Sequence, residues 1–212
     1  MQDDTKEKLL NHAERLFAEK GIAATSIRDL TQATGVNIAS VNYHFGSKRG
    51  LVDQVLERRI IPLNQARTER LQLVLKTAAV AGERPLTEDL LRALIEPTFE
   101  FAATLPESRY FLEMVSRAMS GPDAQVRDIF LQHFKPLFQL VYAAMHKALP
   151  ELPHAVLLMR LHFSVGALHS SMQMIGEQEP LLGAQMETGN SSAIVEMLLP
   201  FLSSGMQAPY TV

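Results

Sequence analysis

The 212-residue sequence contains no cysteine. That absence removes disulfide frameworks and thiolate metal sites, and it fits a reducing compartment, so a cytoplasmic location is expected. Also missing is any run of about 20 apolar residues, the length that spans a bilayer. The most apolar stretch, residues 155–175, is interrupted by Arg160, His162 and His169, so no membrane partner is expected. The opening residues, MQDDTKEKLL, are polar and charged, unlike a secretory signal. Repeats, heptads and low-complexity tracts are absent, and no segment reads as a strand. A large basic excess is missing too: the net charge is −3, of which residues 1–59 contribute +1 and the remainder −4. A broad phosphate-coating surface is thereby excluded, and any affinity for nucleic acid would have to come from local placement of Arg28, Lys48 and Arg49.

Catalytic chemistry is equally thin. His169-Ser170-Ser171 lacks the G-x-S-x-G turn that exposes a nucleophile. His162 and His169 stand seven residues apart, two turns along a helix, whereas a shared metal calls for i, i+4 spacing and a third ligand. No enzyme activity, cofactor or metal site is expected.

What is present is hydrophobic content of 47%, ample for a substantial core, and a dense set of helix signals at residues 25–48. Ser26 can cap a helix, with Asp29 three residues later to answer its backbone. Ile27, Leu30 and Ala33 or Thr34 give that helix a buried face, and Gly35 ends it where a left-handed backbone favours a residue without Cβ. Asn37 can cap the next helix, which Ile38, Val41 and Phe45 hold against the first by their spacing. Ala39, Ser40, Asn42, Tyr43 and His44 are left facing outward. Small, hydrogen-bonding and aromatic residues on a short helix suit the major groove, which admits one helix and offers donors, acceptors and thymine methyls. Ser47 caps a further helix whose first turn carries Lys48 and Arg49, a position that favours phosphate.

The stretch LLNHAERLFAEKGIAATSIRDLTQATGVNIASVNYHFGSKRGL resembles the N-terminal domain of TetR-family transcriptional regulators. The match rests on LF-x-x-x-G, the T-S that follows, the x-x-T-G-V turn, Y-H-F-G-S-K and Leu51, and covers residues 9–56. Two positions depart from the family pattern: Asn42 where Tyr is common, and Thr31 where a small Ala often sits. Asn can bond an adenine edge bidentately, so the first change bears on sequence preference. The resemblance implies a DNA-binding set in which Asn37, Ala39, Ser40, Asn42, Tyr43 and His44 meet bases or nearby phosphates while Arg28, Ser47 and Lys48 hold the backbone.

The rest of the chain reads as helices. Helix 1 occupies about residues 4–19, with Leu9, Ala13, Leu16 and Phe17 as its stripe. A long connector runs from about residue 47, and Pro62 predicts a kink or restart in it. Thr87 opens another helix, Leu105-Pro106 a third, and a fourth runs from Asp123 after the stop at Gly121-Pro122. After Pro150 and Pro153 comes a helix apolar on most sides, then a polar loop at 177–190 and a last helix whose end, from Ser203, is expected to fray. The expected fold is all-α: a helix-turn-helix domain at 1–50 and a larger helical ligand-binding and dimerisation domain at 51–212.

For that second domain the family pattern implies a small-molecule effector, hydrophobic in view of the Met and Phe content. Pocket candidates are Phe99, Phe111, Met114, Phe134 and Phe138, with Arg117, Arg160, His162 and His169 to meet the head of a ligand that is anionic. It also implies a homodimer through the last two helices, for which Ser164, Ala167, Ser171, Val195, Leu198 and Leu202 are the candidate contacts. The expected function is a ligand-responsive repressor reading a palindromic double-stranded operator as a homodimer. The competing class is a helical small-molecule-binding or interaction protein without specific DNA binding.

Overall fold

A computed structural model describes residues 2–104, 108–120, 124–173 and 191–210. Among them the elements are α1 (Gln2–Lys20), α2 (Ile27–Thr34), α3 (Ile38–Phe45), α4 (Lys48–Ala81), α5 (Thr87–Thr104), α6 (Ser108–Ser120), α7 (Ala124–Ala148), α8 (His154–Gln173) and α9 (Ser191–Gln207). The all-α expectation holds, with no strand among the described residues. The helix start at Leu105-Pro106, the boundary at Gly121-Pro122-Asp123 and the loop at 177–190 lie outside them.

The helices gather into two compact units, Met1–Pro62 with Leu105–Lys135, and Leu63–Thr104 with Pro136–Val212. This packing division differs from a cut at residue 50 because α6 packs on α1 and buries Phe111, Met114 and Ala118 within the first unit. Helices α4 and α7 each run from one unit into the other, and in both the boundary falls at a proline. Neither proline restarts its helix. Pro62 removes one N–H from the ladder, but the turns on both sides are held by Ile60 and Leu63, which are buried, so α4 continues to Ala81.

The first unit is closed by the expected stripe of α1, since Leu9, Ala13, Leu16 and Phe17 are all buried. They are joined by Leu30 of α2, Val41 and Phe45 of α3, and Leu51, Val52, Val55 and Leu56 of α4. Glu14 is only 2% exposed, an arrangement a carboxylate tolerates only when paired. It accepts from Arg59 Nε at 3.0 Å and from Arg58, which also donates to Asn11 Oδ1 at 2.8 Å. Thr25 Oγ1 donates to the carbonyls of Gly21 (2.8 Å) and Leu16 (3.2 Å), which ties the end of α1 to the start of α2.

In the second unit α5 packs on α9 and α9 on α8 around a core that includes Leu71, Leu91, Ile95, Phe99, Val141, Met145, Leu157, Leu161 and Leu199. Arg92 clamps α5 to Glu196 of α9 at 2.8 Å, and this hydrogen bond holds the Glu196 carboxyl below its ordinary range. The C-terminal turns do not match the expected fraying. Met206 is 1% exposed, and Arg160 of α8 donates to its carbonyl at 2.7 Å, so α9 is anchored through Gln207.

Candidate nucleic-acid interface

Every turn of the helix-turn-helix is fixed by local hydrogen bonds the sequence specifies. At α2 the capping box is complete: Asp29 N–H donates to Ser26 Oγ at 3.1 Å, and Ser26 N–H returns to Asp29 Oδ2 at 2.8 Å. The Ser26 hydroxyl also donates to that carboxylate, at 2.5 Å. Together with the Ser26 backbone bond it draws the Asp29 pKa below its ordinary value. Gly35 sits at φ 70°, ψ 10°, a left-handed conformation, and its N–H caps Thr31 O at 2.9 Å. Asn37 then caps α3, its Oδ1 accepting from Ser40 N–H at 2.8 Å and Ser40 Oγ at 3.1 Å. At the far end Ser47 Oγ accepts Gly50 N–H at 3.1 Å to start α4. A Cβ at Gly50 would fall inside the Phe45 carbonyl oxygen, so only glycine lets α4 begin this close to the end of α3.

The outward face of α3 is the expected one with an addition. Ala39 and Asn42 are exposed, Tyr43 is 75% exposed, and Ser40 and His44 are partly covered. His44 meets the edge of the Tyr43 ring at a centroid distance of 5.2 Å, which limits how that phenol can swing. Ile38, which the spacing assigns to the packing face, is instead 52% exposed. Helical side chains lean toward the N-terminus, and the first residue of α3 has no preceding turn to cover it. Ile38 therefore joins the surface and offers an aliphatic contact of the kind a thymine methyl accepts. Its place directly after the Asn37 cap is the signal by which sequence reasoning could have found it.

Four of the polar candidates are already engaged, Ser40 and Ser47 through their capping bonds. The Asn37 side-chain oxygen is taken up by the cap, which leaves its amide nitrogen for an outside acceptor. Lys48 Nζ reaches back to the Ala23 carbonyl at 3.2 Å and is half-buried, because its stem lies over the α1–α2 connection. Arg28 on α2 and Arg49 on the first turn of α4 are exposed, as is Ser47. The site thus combines one exposed helical face of mixed chemistry with cations on the helices flanking it, and no group of metal ligands occurs among the described residues.

The pocket candidates divide between the units. Phe111, Met114, Arg117 and Phe134 belong to the first unit and Phe99, Phe138, Arg160, His162 and His169 to the second. Phe111, Met114 and Phe99 are core, while Arg117 pairs with Glu113 at 2.9 Å. Phe138 is 40% exposed, Arg160 is engaged with Met206, and His162 is exposed beside Phe163.

The dimer candidates require a correction. Val195, Leu198 and Leu202 are buried in the core of their own unit, Ser164 is 8% exposed, and the Ser164 and Ser171 hydroxyls bond back to Arg160 O and Ala167 O. Ala167 packs against that same core. The outer face of α8 lies one residue round the helix, where Ala155, Met159, Phe163, Gly166 and Ser170 are exposed. On α9 Met197, Phe201, Ser204 and Gly205 are among the exposed positions.

Comparison with known proteins agrees with this geometry. Residues 9–55 match the model of bacterial regulatory proteins of the tetR family, and residues 92–205 match that of the tetracyclin repressor-like C-terminal domain. Among curated proteins, a probable HTH-type transcriptional regulator of Bacillus subtilis, YttP, is 27% identical over 165 residues, 74% of each chain. The HTH-type transcriptional repressor KstR2 of Rhodococcus jostii is 43% identical over 60 residues, 26% of this chain and 29% of that protein. Among solved structures, NalD of Pseudomonas aeruginosa, described as the secondary repressor of the MexAB-OprM multidrug efflux pump, aligns with a TM-score of 0.65 at 20% identity, covering 97% of this chain and 98% of that one. A transcriptional regulator of Saccharomonospora viridis, solved in complex with choline, aligns at 0.55 and 16% identity over 94% and 96% of the two chains. These relatives are regulators rather than enzymes. No helix among the described residues is long and apolar enough to cross a membrane. With both family models matched along its length, the chain belongs to the TetR family of DNA-binding transcriptional regulators.

Proposed function

We propose that the protein is a cytoplasmic, effector-responsive repressor that binds a palindromic operator as a homodimer. The observation that carries this reading is the exposed face of α3. Ile38, Ala39, Asn42 and Tyr43 project there from a helix whose every turn is locally fixed, and Arg28 and Arg49 flank it on α2 and α4. Asn42 and the Asn37 amide offer hydrogen bonds to base edges, Ile38 and Ala39 offer apolar contact, and Tyr43, Ser40 and His44 reach bases or adjacent phosphates. Arg28, Ser47, Lys48 and Arg49 position the helix on the backbone.

Homodimerisation is supported by the outer faces of α8 and α9. Met159 (51%), Phe163 (62%), Met197 (53%) and Phe201 (69%) are exposed at i, i+4 spacing, which puts each pair on one face of its helix. Gly166 and Gly205 lie in the same faces, and a Cβ at either would meet nothing in this chain. Glycine there serves no internal packing need, and it permits close approach of a second copy. A two-fold dimer presents two α3 helices, hence the palindrome. Effector binding belongs, on this reading, to residues 51–212, and it alters the separation of the two reading helices. A coupling of about 1–3 kcal/mol suffices.

The test is fluorescence anisotropy on duplexes tiled across the DNA flanking the protein's own gene. One palindromic tile should bind with two chains per duplex and retain affinity at physiological salt. Uniformly weak binding that vanishes with salt would contradict the reading and favour a helical binding protein without sequence-specific DNA recognition.

A further inference from the structure

Arg67 of α4 is 6% exposed, the most buried cation among the described residues. Its guanidinium is held by neutral acceptors alone: Leu94 O at 3.2 Å, Asn64 Oδ1 at 3.0 Å and Thr98 Oγ1 at 2.5 Å. Those three bonds engage three of the five N–H donors an arginine carries. The unit's nearby carboxylates are committed elsewhere, Glu96 and Glu100 to Arg70 at 3.1 and 2.6 Å, and Glu88 and Glu196 to Arg92 at 3.3 and 2.8 Å. No carboxylate of the described residues faces Arg67. Burial pushes its pKa down to about 10, so it remains charged at neutral pH. A buried charge without a counter-ion is costly, and two of its N–H groups are left without an acceptor among the described residues.

We propose that Arg67 receives the carboxylate of the effector, a monoanionic acid with an apolar body. The two remaining donors belong to the planar fork that matches a carboxylate. One helical turn away on either side of Arg67, on its own face of α4, stand Leu63 and Leu71, both buried, and Thr98 is followed on α5 by buried Phe99. A carboxylate with an aliphatic or aromatic body satisfies both parts of this surrounding at once. This inference rests on the effector-responsive reading above and names the ligand chemistry for it.

The experiment uses the full-length protein and calorimetric titration with sodium carboxylates from acetate to dodecanoate, each paired with the primary alcohol of equal chain length. At least one acid should bind at one site per chain, at least about tenfold tighter than its alcohol. In Arg67→Met that preference should collapse to within about twofold, in a protein that still shows a cooperative thermal transition by circular dichroism. Arg67→Lys, which keeps the charge and loses the fork, should retain a weakened preference, and it decides the matter if the methionine variant does not fold. Equal binding of acid and alcohol along the whole series, or a preference that survives in Arg67→Met, would overturn the assignment. Arg67-dependent acid binding that leaves DNA affinity unchanged would instead sink the effector reading while leaving the site in place.

Discussion

Replacing Glu14 with Gln should cost the protein about 2–3 kcal/mol, a figure that follows from what the carboxylate holds. It is 2% exposed, and it takes Arg59 Nε at 3.0 Å and Nη2 at 3.1 Å as well as Arg58. Removing one partner of a buried ion pair typically costs about 3–5 kcal/mol, because the other charge stays desolvated. Here the loss is smaller for two reasons. Arg58 keeps Asn11 at 2.8 Å and Glu7 at 3.4 Å, and the two arginine side chains are 18% and 17% exposed, so water can reach them. The orphaned charge is then mainly that of Arg59. At the size of this chain the change corresponds to about 5–10 °C in melting temperature. Urea unfolding followed by circular dichroism should show a lower midpoint with an unchanged slope. A loss under about 0.5 kcal/mol, the range of an ordinary surface substitution, would refute the view that Glu14 locks α1 to α4.

Two further outcomes follow from the same interactions. The Asp29 carboxyl is stabilised as the anion, so its contribution to α2 is present above the ordinary aspartate value and is lost as pH falls through the lowered one; acid titration of the helical signal should begin at higher pH in Ser26→Ala than in wild type. Phe163→Glu, on the outer face of α8, should raise the dimer dissociation constant by at least about 100-fold in sedimentation equilibrium with helical content unchanged. A dimer as tight as wild type would remove that face from the interface.

Much of the reading unit is legible in the sequence because its bonds are short-range. Ser26 with Asp29, Gly35 with Thr31, and Asn37 with Ser40 each join residues three or four apart, and residue type at that spacing all but dictates the bond. The second unit is less legible because periodicity reports an apolar face without saying what covers it. Val195, Leu198 and Leu202 have the pattern of an interface and turn out to face their own core, while Met197 and Phe201 carry the exposed surface. On α8, apolar on most sides, a displacement of one residue separates Ser164, Ala167 and Ser171 from the outer Phe163, Gly166 and Ser170. Ile38 misleads for a different reason, since its spacing is that of a packed residue but its position at the helix start uncovers it. Arg67 carries no sequence signal. It lies in the charged run NQARTERLQ, and only the approach of α5 distinguishes it from Arg70, which is more exposed and ion-paired.

The central claim is that the exposed face of α3 reads bases, and the direct measurement is an anisotropy titration of wild type, Ile38→Ala and Tyr43→Ala on the mapped operator and on a scrambled duplex. Wild type should prefer the operator by at least about 10³-fold. Each variant should lose about 1–3 kcal/mol on the operator and little on the scramble, since these side chains add contacts a random duplex does not reward. Wild-type operator affinity in both variants, or an equal loss on both duplexes, would contradict base reading by α3.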